Sequence, residues 1–191
     1  MSRPAELGAV IRTALQIERK YMGVLQQDPG SRERNTPWMP FNIFRFLALA
    51  AEALPELDGA ADPVRYFEIG AGPGTKMMLM KEIFGFEVHG IEFYDEYAAA
   101  ARSTGLDVRT VDAMSWPSYA GSGLIWFNRV YRTPAGQKML EPLVWETASP
   151  GTVIMCANLE DRPPMSWYPV LDEWDDSRAG IWQKPFGSAA S

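Results

Sequence analysis

Three glycines fall at alternate positions directly after a short apolar stretch that contains an acid. Residues 66–75 have the order Tyr-Phe-Glu-Ile-Gly-Ala-Gly-Pro-Gly-Thr, with Glu68 two residues before the first glycine. Residues 76–84 follow with apolar side chains at helical spacing. A strand that turns into a helix through glycines brings bare backbone close to a ligand, and the helix N-terminus adds partial positive charge. The segment therefore predicts a turn that binds a small molecule.

The spacing of the glycines distinguishes between two classes of ligand. A dinucleotide-binding turn has its third glycine three residues after the second, and here that position is Thr75, whose side chain is branched. The third glycine is instead Gly74, two residues after Gly72. Glu68 would repel a phosphate, whereas a carboxylate suits an ammonium group. A nicotinamide- or flavin-dependent oxidoreductase is therefore the less favoured alternative.

The order acid-x-Gly-x-Gly-x-Gly resembles the first motif of the class I S-adenosylmethionine (SAM) dependent methyltransferases, and the resemblance covers residues 64–158. It implies a Rossmann-like fold, SAM as the cofactor and methyl transfer as the reaction. In that family the loop holds the methionine part of SAM, and the acid lies near the amino group. The resemblance gives these roles to Glu68, Gly70, Ala71, Gly72 and Gly74.

The ends of the next two predicted strands extend the resemblance. Glu92 ends the second strand and matches the family's ribose-binding acid, and Phe93 is placed to pack against adenine. Asp112 and Ala113 follow the third strand, where the family uses an acid to accept a hydrogen bond from the adenine amino group and the next backbone N–H to contact the ring. The one histidine, His89, lies within the second strand, where a hydrogen-bonded sheet residue is the favoured interpretation.

The resemblance also implies that the end of the fourth predicted strand faces the methyl acceptor. Enzymes of the family that methylate base amines often carry Asp or Asn, two prolines and an aromatic residue, whereas residues 126–132 are Trp-Phe-Asn-Arg-Val-Tyr-Arg. Asn128 is predicted to contact the cofactor and to position the nucleophile, and Tyr131 to form a hydrogen bond near the methyl group. Arg129 and Arg132 are candidates for clamping an anionic group of the substrate.

The sequence shows no obvious general base. In-line positioning of nucleophile and methyl group can supply about 7–11 kcal/mol by itself, and the candidates for a base are Tyr131, Glu160 and Asp161. No cluster of Cys, His and carboxylates has metal-ligand spacing, so no metal is expected. An aromatic lid, with core packing as the alternative, is the hypothesis for Trp38, Met39, Phe41, Trp167 and Tyr168. The lack of a base keeps a non-catalytic, methyltransferase-like interaction domain as a further alternative.

These residues need an alternation of strands and helices to position them. Apolar patterns predict strands at residues 64–69, 86–92, 107–111, 124–128 and 152–157. They predict helices at residues 6–26, 41–54, 76–84, 95–103 and 134–148. Such alternation indicates an α/β fold with a doubly wound, mostly parallel, Rossmann-like sheet. Residues 165–171 and 179–184 predict an antiparallel C-terminal hairpin around an acidic turn at residues 172–176.

Length and composition bound the domain organisation and the partners. The chain has 191 residues, of which 47% are hydrophobic and 22% charged, as in globular proteins. We predict a helical cap at residues 1–60, packed on a SAM-binding domain at residues 61–191. The net charge of −6 makes nucleic acid an unlikely partner. A small-molecule acceptor is therefore favoured, with protein as the alternative.

Targeting signals and cysteine usage predict the compartment. The first residues lack an apolar leader, and the longest apolar runs are shorter than a membrane span. We therefore expect a cytoplasmic protein with no membrane partner. The single cysteine, Cys156, lies in a predicted strand, where we expect it to pack in the core.

Overall fold

The computed structural model, which describes residues 3–21, 41–59, 62–174 and 179–186, contains one seven-stranded sheet. Its strands are β1 (Arg65–Ile69), β2 (Glu87–Glu92), β3 (Asp107–Thr110), β4 (Leu124–Asn128), β5 (Val153–Ala157), β6 (Tyr168–Trp174) and β7 (Ala179–Gln183). Their spatial order is β3-β2-β1-β4-β5-β7-β6. The first five are parallel, and β7 pairs antiparallel with both β5 and β6. The predicted α/β, mostly parallel, Rossmann-like sheet with an antiparallel hairpin is confirmed.

Within the same residues, five α-helices cover the two faces of the sheet. They are α1 (Arg3–Tyr21), α2 (Ile43–Ala53), α3 (Thr75–Phe84), α4 (Asp95–Ser103) and α5 (Pro134–Thr147). On the first face, the four helices α1, α2, α3 and α4 pack against the sheet and form one core with it. On the other face, α5 packs against the sheet in a second core. The strand order reverses between β1 and β4, which leaves a crevice at the carboxyl ends of these strands. The sheet is therefore doubly wound, and the glycine turn lies at the point where the strand order reverses.

Local capping explains where two of the helices begin. The side chain of Asn42 accepts hydrogen bonds from the backbone N–H groups of Phe44 and Arg45, at 2.9 and 3.1 Å, and so caps α2. Thr133 accepts from the N–H of Gly136 at 3.2 Å and caps α5, whose first residue is a proline. None of the helices that the structure describes is long and apolar enough to cross a membrane.

The first strand of the C-terminal hairpin is shifted from its predicted bounds, since β6 covers Tyr168–Trp174 and the prediction was residues 165–171. β6 continues to Trp174, which pairs with Ala179, so the acidic turn predicted at residues 172–176 is wrong for residues 172–174. The strand is the edge of the sheet and pairs only with β7. Edge strands tolerate charged residues, which explains why an acidic segment remains in strand conformation. Cys156 is buried in β5, as predicted.

Candidate active site

The glycine turn joins β1 to α3 at the centre of the sheet. Gly70, Gly72 and Gly74 have φ angles of 76°, 55° and 80°, a left-handed conformation that strains residues with a side chain. Gly74 also needs to be small, because a Cβ at this position would lie 2.5 Å from Cδ1 of Leu106. Glycine is therefore favoured at all three positions by the backbone conformation, and at Gly74 also by the close packing of the turn against Leu106.

The N–H groups of the turn already have partners within the protein. Gly70 and Ala71 both donate to the carbonyl of Ile91 at 2.9 Å, and Gly74 donates to the carbonyl of Ala71 at 3.0 Å. Gly72 donates to the Glu92 carboxylate at 2.8 Å. The turn is therefore held in one shape before any ligand arrives, which reduces the entropy cost of binding.

Glu92, the last residue of β2, points towards the glycine turn. Its Oε2 accepts the hydrogen bond from Gly72, and its Oε1 accepts one from the N–H of Tyr94 at 2.9 Å. Burial raises the pKa of Glu92, whereas its hydrogen bonds with the backbone lower it. The backbone N–H of Phe93 also donates to this carboxylate. Since a carboxylate has about four lone-pair positions, room is left for one further donor such as a ribose hydroxyl. Phe93, beside it, is exposed and is available for packing against a ring.

Glu68 lies beneath the turn and is only 2% exposed. The hydroxyl of Tyr66 donates to its Oε2 at 3.1 Å, and the backbone N–H of Met77 donates to its carboxylate. Glu68 thereby caps the first turn of α3, since the N-cap residue, Gly74, has no side chain. Burial raises the pKa of Glu68 to about 8, although the positive charge of Lys76 opposes this shift.

A buried ion pair, which the sequence analysis missed, joins α1 to the start of α3. Oε1 of Glu18 lies 3.1 Å from Nζ of Lys76 and accepts a hydrogen bond from the Thr75 hydroxyl at 3.2 Å. The two charged side chains are 8% and 3% exposed. The available signal was a glutamate on the apolar face of the first predicted helix, opposite a lysine directly after the glycine turn.

Asp112 and Tyr131 meet at the end of β3. The Tyr131 hydroxyl donates a hydrogen bond to Oδ1 of Asp112, and the backbone N–H of Met114 donates to the same oxygen at 3.0 Å. Ala113 follows in the chain and is buried, with its carbonyl accepting from the Tyr119 hydroxyl at 2.9 Å. Tyr131, which was predicted to act near the methyl group, is thus hydrogen-bonded to Asp112, which was predicted to bind adenine.

Asn128, the last residue of β4, is joined to a second asparagine that the sequence analysis did not single out. Asn158 follows β5 with φ 57° and donates a hydrogen bond from Nδ2 to Oδ1 of Asn128 at 2.8 Å. Arg129, the predicted substrate clamp, forms an ion pair with Glu160, a candidate base, at 3.2 Å. The ends of β4 and β5 are therefore linked by side chains, and two of the predicted catalytic groups partner each other.

Two buried polar residues of α5, also missed, hold the segments after these strands. Oε1 of Gln137 accepts from the N–H groups of Val130 and Tyr131 at 3.1 and 3.2 Å. Its Nε2 donates to Oε1 of Glu141 at 3.0 Å. The Glu141 carboxylate also accepts from the N–H groups of residues 160–161, at 3.0 and 2.9 Å. Their only signal in the sequence was polar side chains four residues apart on a partly apolar helix.

The structure places two of the candidates for an aromatic lid in the core. Phe41 and Trp167 are buried in the two cores, so core packing, the alternative to the lid, is correct for these two residues. Tyr168 is 62% exposed on the edge strand β6. Trp38 and Met39 lie outside the described residues. Both buried residues contribute to covering the sheet, because a fold of this kind buries both of its faces.

His89 is a hydrogen-bonded sheet residue, as predicted. Its Nδ1 lies 2.8 Å from a carboxylate oxygen of Asp107, and its Nε2 lies 3.0 Å from one of Glu87. It lines a groove on the sheet with Arg65 and Trp116, apart from the glycine turn. In the described part of the chain, no three His, Cys, Asp or Glu side chains form a group that could hold a metal ion.

Comparisons with known proteins identify the fold. No protein-family model and no curated protein matches the sequence. The structure is similar to an RNA methyltransferase from Salinibacter ruber in complex with S-adenosyl-L-homocysteine, with TM-score 0.58 and 16% identity over 80% of this chain and 98% of that one. It is also similar to a proposed methylase from Haemophilus influenzae, with TM-score 0.58 and 11% identity over 73% and 98% of the two chains.

A larger protein contains the same fold as one part. The bifunctional kinase-methyltransferase WbdD matches with TM-score 0.54 and 11% identity over 76% of this chain, which spans 40% of that protein. At these identities the likeness shows the fold. The chain has the Rossmann-like fold that class I SAM-dependent methyltransferases share.

Proposed function

We propose that this chain, which has the fold of the class I SAM-dependent methyltransferases, binds SAM and transfers its methyl group to an oxygen or nitrogen of an acceptor. The observation that carries the proposal is the glycine turn at the point where the strand order reverses, with Glu92 at the end of the neighbouring strand. Ligands of parallel α/β sheets bind at such a point. The Glu92 carboxylate lies against the turn, where it accepts from the N–H of Gly72 at 2.8 Å, and can accept from a ribose. Thr75 occupies the position at which a dinucleotide-binding turn has its third glycine, which favours SAM over a dinucleotide.

The residues divide according to the part of the cofactor that they serve. Glu68 and the glycine turn hold the methionine part, and Glu92 accepts a hydrogen bond from the ribose. Phe93 packs against adenine, while Asp112 and the N–H of Ala113 bind its edge. The full set proposed to bind the cofactor is Glu68, Gly70, Ala71, Gly72, Gly74, Glu92, Phe93, Asp112, Ala113 and Asn128.

In the proposed reaction the chain contributes position and the exclusion of water. SAM, held by the glycine turn, Glu92 and Asp112, would supply an activated methyl group for transfer to the nucleophile of the acceptor. Asn128, restrained by its hydrogen bond with Asn158, orients the nucleophile at the end of β4. Tyr131 acts on the adenine side of the site, because its hydroxyl donates to Asp112. Positioning of this kind can lower the barrier by about 7–11 kcal/mol.

The favoured acceptor is a small molecule. The chain carries a net charge of −6, whereas nucleic-acid binding relies on basic surfaces. RNA is the alternative acceptor, since one of the similar structures is an RNA methyltransferase. Methylation assays with tritiated SAM, run in parallel on total RNA and on a small-molecule extract, distinguish the two.

Calorimetric titration of the full chain with S-adenosylhomocysteine tests the proposal. We expect saturable binding by the wild type and its loss in Glu92→Ala. Glu87→Ala is the matched control, because Glu87 lies on the same strand but pairs with Arg65 at the surface. Absence of binding by folded wild-type protein overturns the proposal, and binding of NAD⁺ in its place would indicate the oxidoreductase alternative. A non-catalytic domain is distinguished by binding without methyl transfer.

A further inference from the structure

The two polar residues of α5 are fully buried without serving any role yet assigned. Gln137 and Glu141 are both 0% exposed, and they share the inner side of the helix with the core residues Leu140 and Val144. Burying an amide and a carboxylate is costly, and apolar side chains of similar size often stabilise a fold as well or better. Stability alone therefore does not explain why Gln137 and Glu141 are buried here. The backbone segments whose N–H groups these two side chains bind offer an explanation.

Gln137 determines the course of the segment after β4. Its Oε1 accepts from two successive N–H groups, those of Val130 and Tyr131, while its Nε2 donates to Glu141. Only one orientation of the amide satisfies all three contacts, since the carboxylate cannot donate and the N–H groups cannot accept. The backbone of Tyr131 is thereby held where its hydroxyl reaches Asp112.

Glu141 completes the same network from the other side. Its carboxylate receives the Gln137 amide and the two N–H groups of residues 160–161 after β5. A continuous chain of hydrogen bonds thus runs from the end of β5, through α5 and the segment after β4, to Asp112 at the end of β3. It connects the acceptor side of the site with the adenine side.

We propose that Gln137 and Glu141 are positioning residues that, acting through Tyr131, hold Asp112 in the orientation that reads the adenine amino group. This inference rests on the proposed function, in which Asp112 binds that group. Asp112 is a short side chain next to a 3₁₀ turn (Ala113–Ser115) and accepts from Met114 and Tyr131 at a single oxygen. In the proposed complex its second oxygen accepts from the adenine amino group. Without the Tyr131 hydroxyl, the Met114 N–H would remain as a donor to Oδ1, and the carboxylate would be less restrained.

The test compares two ligands that differ at one group. S-adenosylhomocysteine carries the adenine amino group, and S-inosylhomocysteine carries a carbonyl oxygen there, which an aspartate repels. Wild-type protein is expected to bind the first ligand roughly 10- to 100-fold more tightly, as for other hydrogen bonds to charged groups. Gln137→Ala and Tyr131→Phe are expected to reduce this ratio at least several-fold. Gln183→Ala is the matched control, since its amide donates to the backbone carbonyl of Glu56, which takes no part in the network of Gln137 and Glu141.

The ratio separates positioning from general damage. A variant that is merely less stable binds both ligands more weakly and keeps the ratio, which would overturn the inference. Tyr131→Phe keeps the buried ring, so it provides a readout if Gln137→Ala does not fold. Equal affinity of the wild type for the two ligands also overturns the inference, while binding of S-adenosylhomocysteine would leave the proposed function standing. If the wild type binds neither ligand, the proposed function itself fails.

Discussion

Glu18 of α1 forms a buried ion pair with Lys76 of α3, with 3.1 Å between Oε1 and Nζ. The same carboxylate oxygen accepts a hydrogen bond from Thr75, the first residue of α3. One side chain of the N-terminal helix therefore holds the first turn of the helix that follows the glycine turn. The N-terminal segment thus supports the candidate cofactor site, as well as covering the sheet.

Removal of one partner of this ion pair should be costly. Glu18→Ala leaves the Lys76 ammonium buried without its carboxylate, and we expect the free energy of unfolding to fall by about 3 kcal/mol or more. The double variant Glu18→Leu/Lys76→Met should lose less, because no charge is left unpaired. Urea denaturation of the wild type, Glu18→Ala, the single variants Glu18→Leu and Lys76→Met and the double variant measures these losses. A loss in the double variant equal to the sum of the losses in Glu18→Leu and Lys76→Met would contradict the coupling.

Gly74 and Gly85 form a matched pair for testing the glycine turn. Both have positive φ, 80° and 74°, but a Cβ at Gly74 would meet Leu106 at 2.5 Å, whereas nothing lies within 4 Å of one at Gly85. Gly85→Ala should therefore show only backbone strain, about 1–2 kcal/mol. Gly74→Ala should lose about 1–3 kcal/mol more through overpacking, and its affinity for S-adenosylhomocysteine should fall as the turn shifts. Urea denaturation and calorimetry provide the two readouts, and equal losses of stability would contradict the packing argument.

Features encoded over short distances were predictable from the sequence. The glycine turn, the acids at the strand ends and the asparagine that ends β4 all follow from local patterns, since parallel strands bring their carboxyl ends together. The Glu92 side chain, for example, faces Gly72 across neighbouring strands.

The missed features depend on how distant helices are placed. Glu18 contacts a lysine 58 residues away, and Glu141 binds N–H groups about 20 residues away. No local period specifies which side chain of a helix meets which loop. The direction of the Tyr131 hydroxyl could not be predicted for the same reason, because it depends on a backbone position that Gln137 of α5 holds. The sequence therefore predicted the positions of candidate residues better than their partners.

Glu68 should make stability depend on pH in the direction opposite to most acids. Its pKa is raised to about 8 in the folded state, compared with an ordinary value of 4.5. Between these values the folded state binds more protons than the unfolded state. The contribution of Glu68 is therefore fully present below pH 4.5 and is lost as pH rises through about 8. The slope reaches at most about 1.4 kcal/mol per pH unit.

The variant Glu68→Gln isolates this contribution from those of other buried acids. A glutamine is neutral throughout, so the difference in unfolding free energy between wild type and variant should shift in favour of the variant as pH rises from 5 to 8. Urea denaturation at several pH values measures it. Parallel pH profiles for the two proteins would show that Glu68 is ionised in the folded state across this range.

His89 provides the last test, because the chain contains one histidine and thus one imidazole signal. Burial lowers its pKa, but the hydrogen bonds with Asp107 and Glu87 outweigh this and raise the pKa above 6.5. Its stabilising contribution is therefore present below pH 6.5 and is lost as pH rises through the higher folded-state value. NMR titration should show this raised pKa in the wild type, a lower one in Asp107→Asn and no change in the control Glu82→Gln. A wild-type value below 6.5 would mean that desolvation outweighs the two carboxylates.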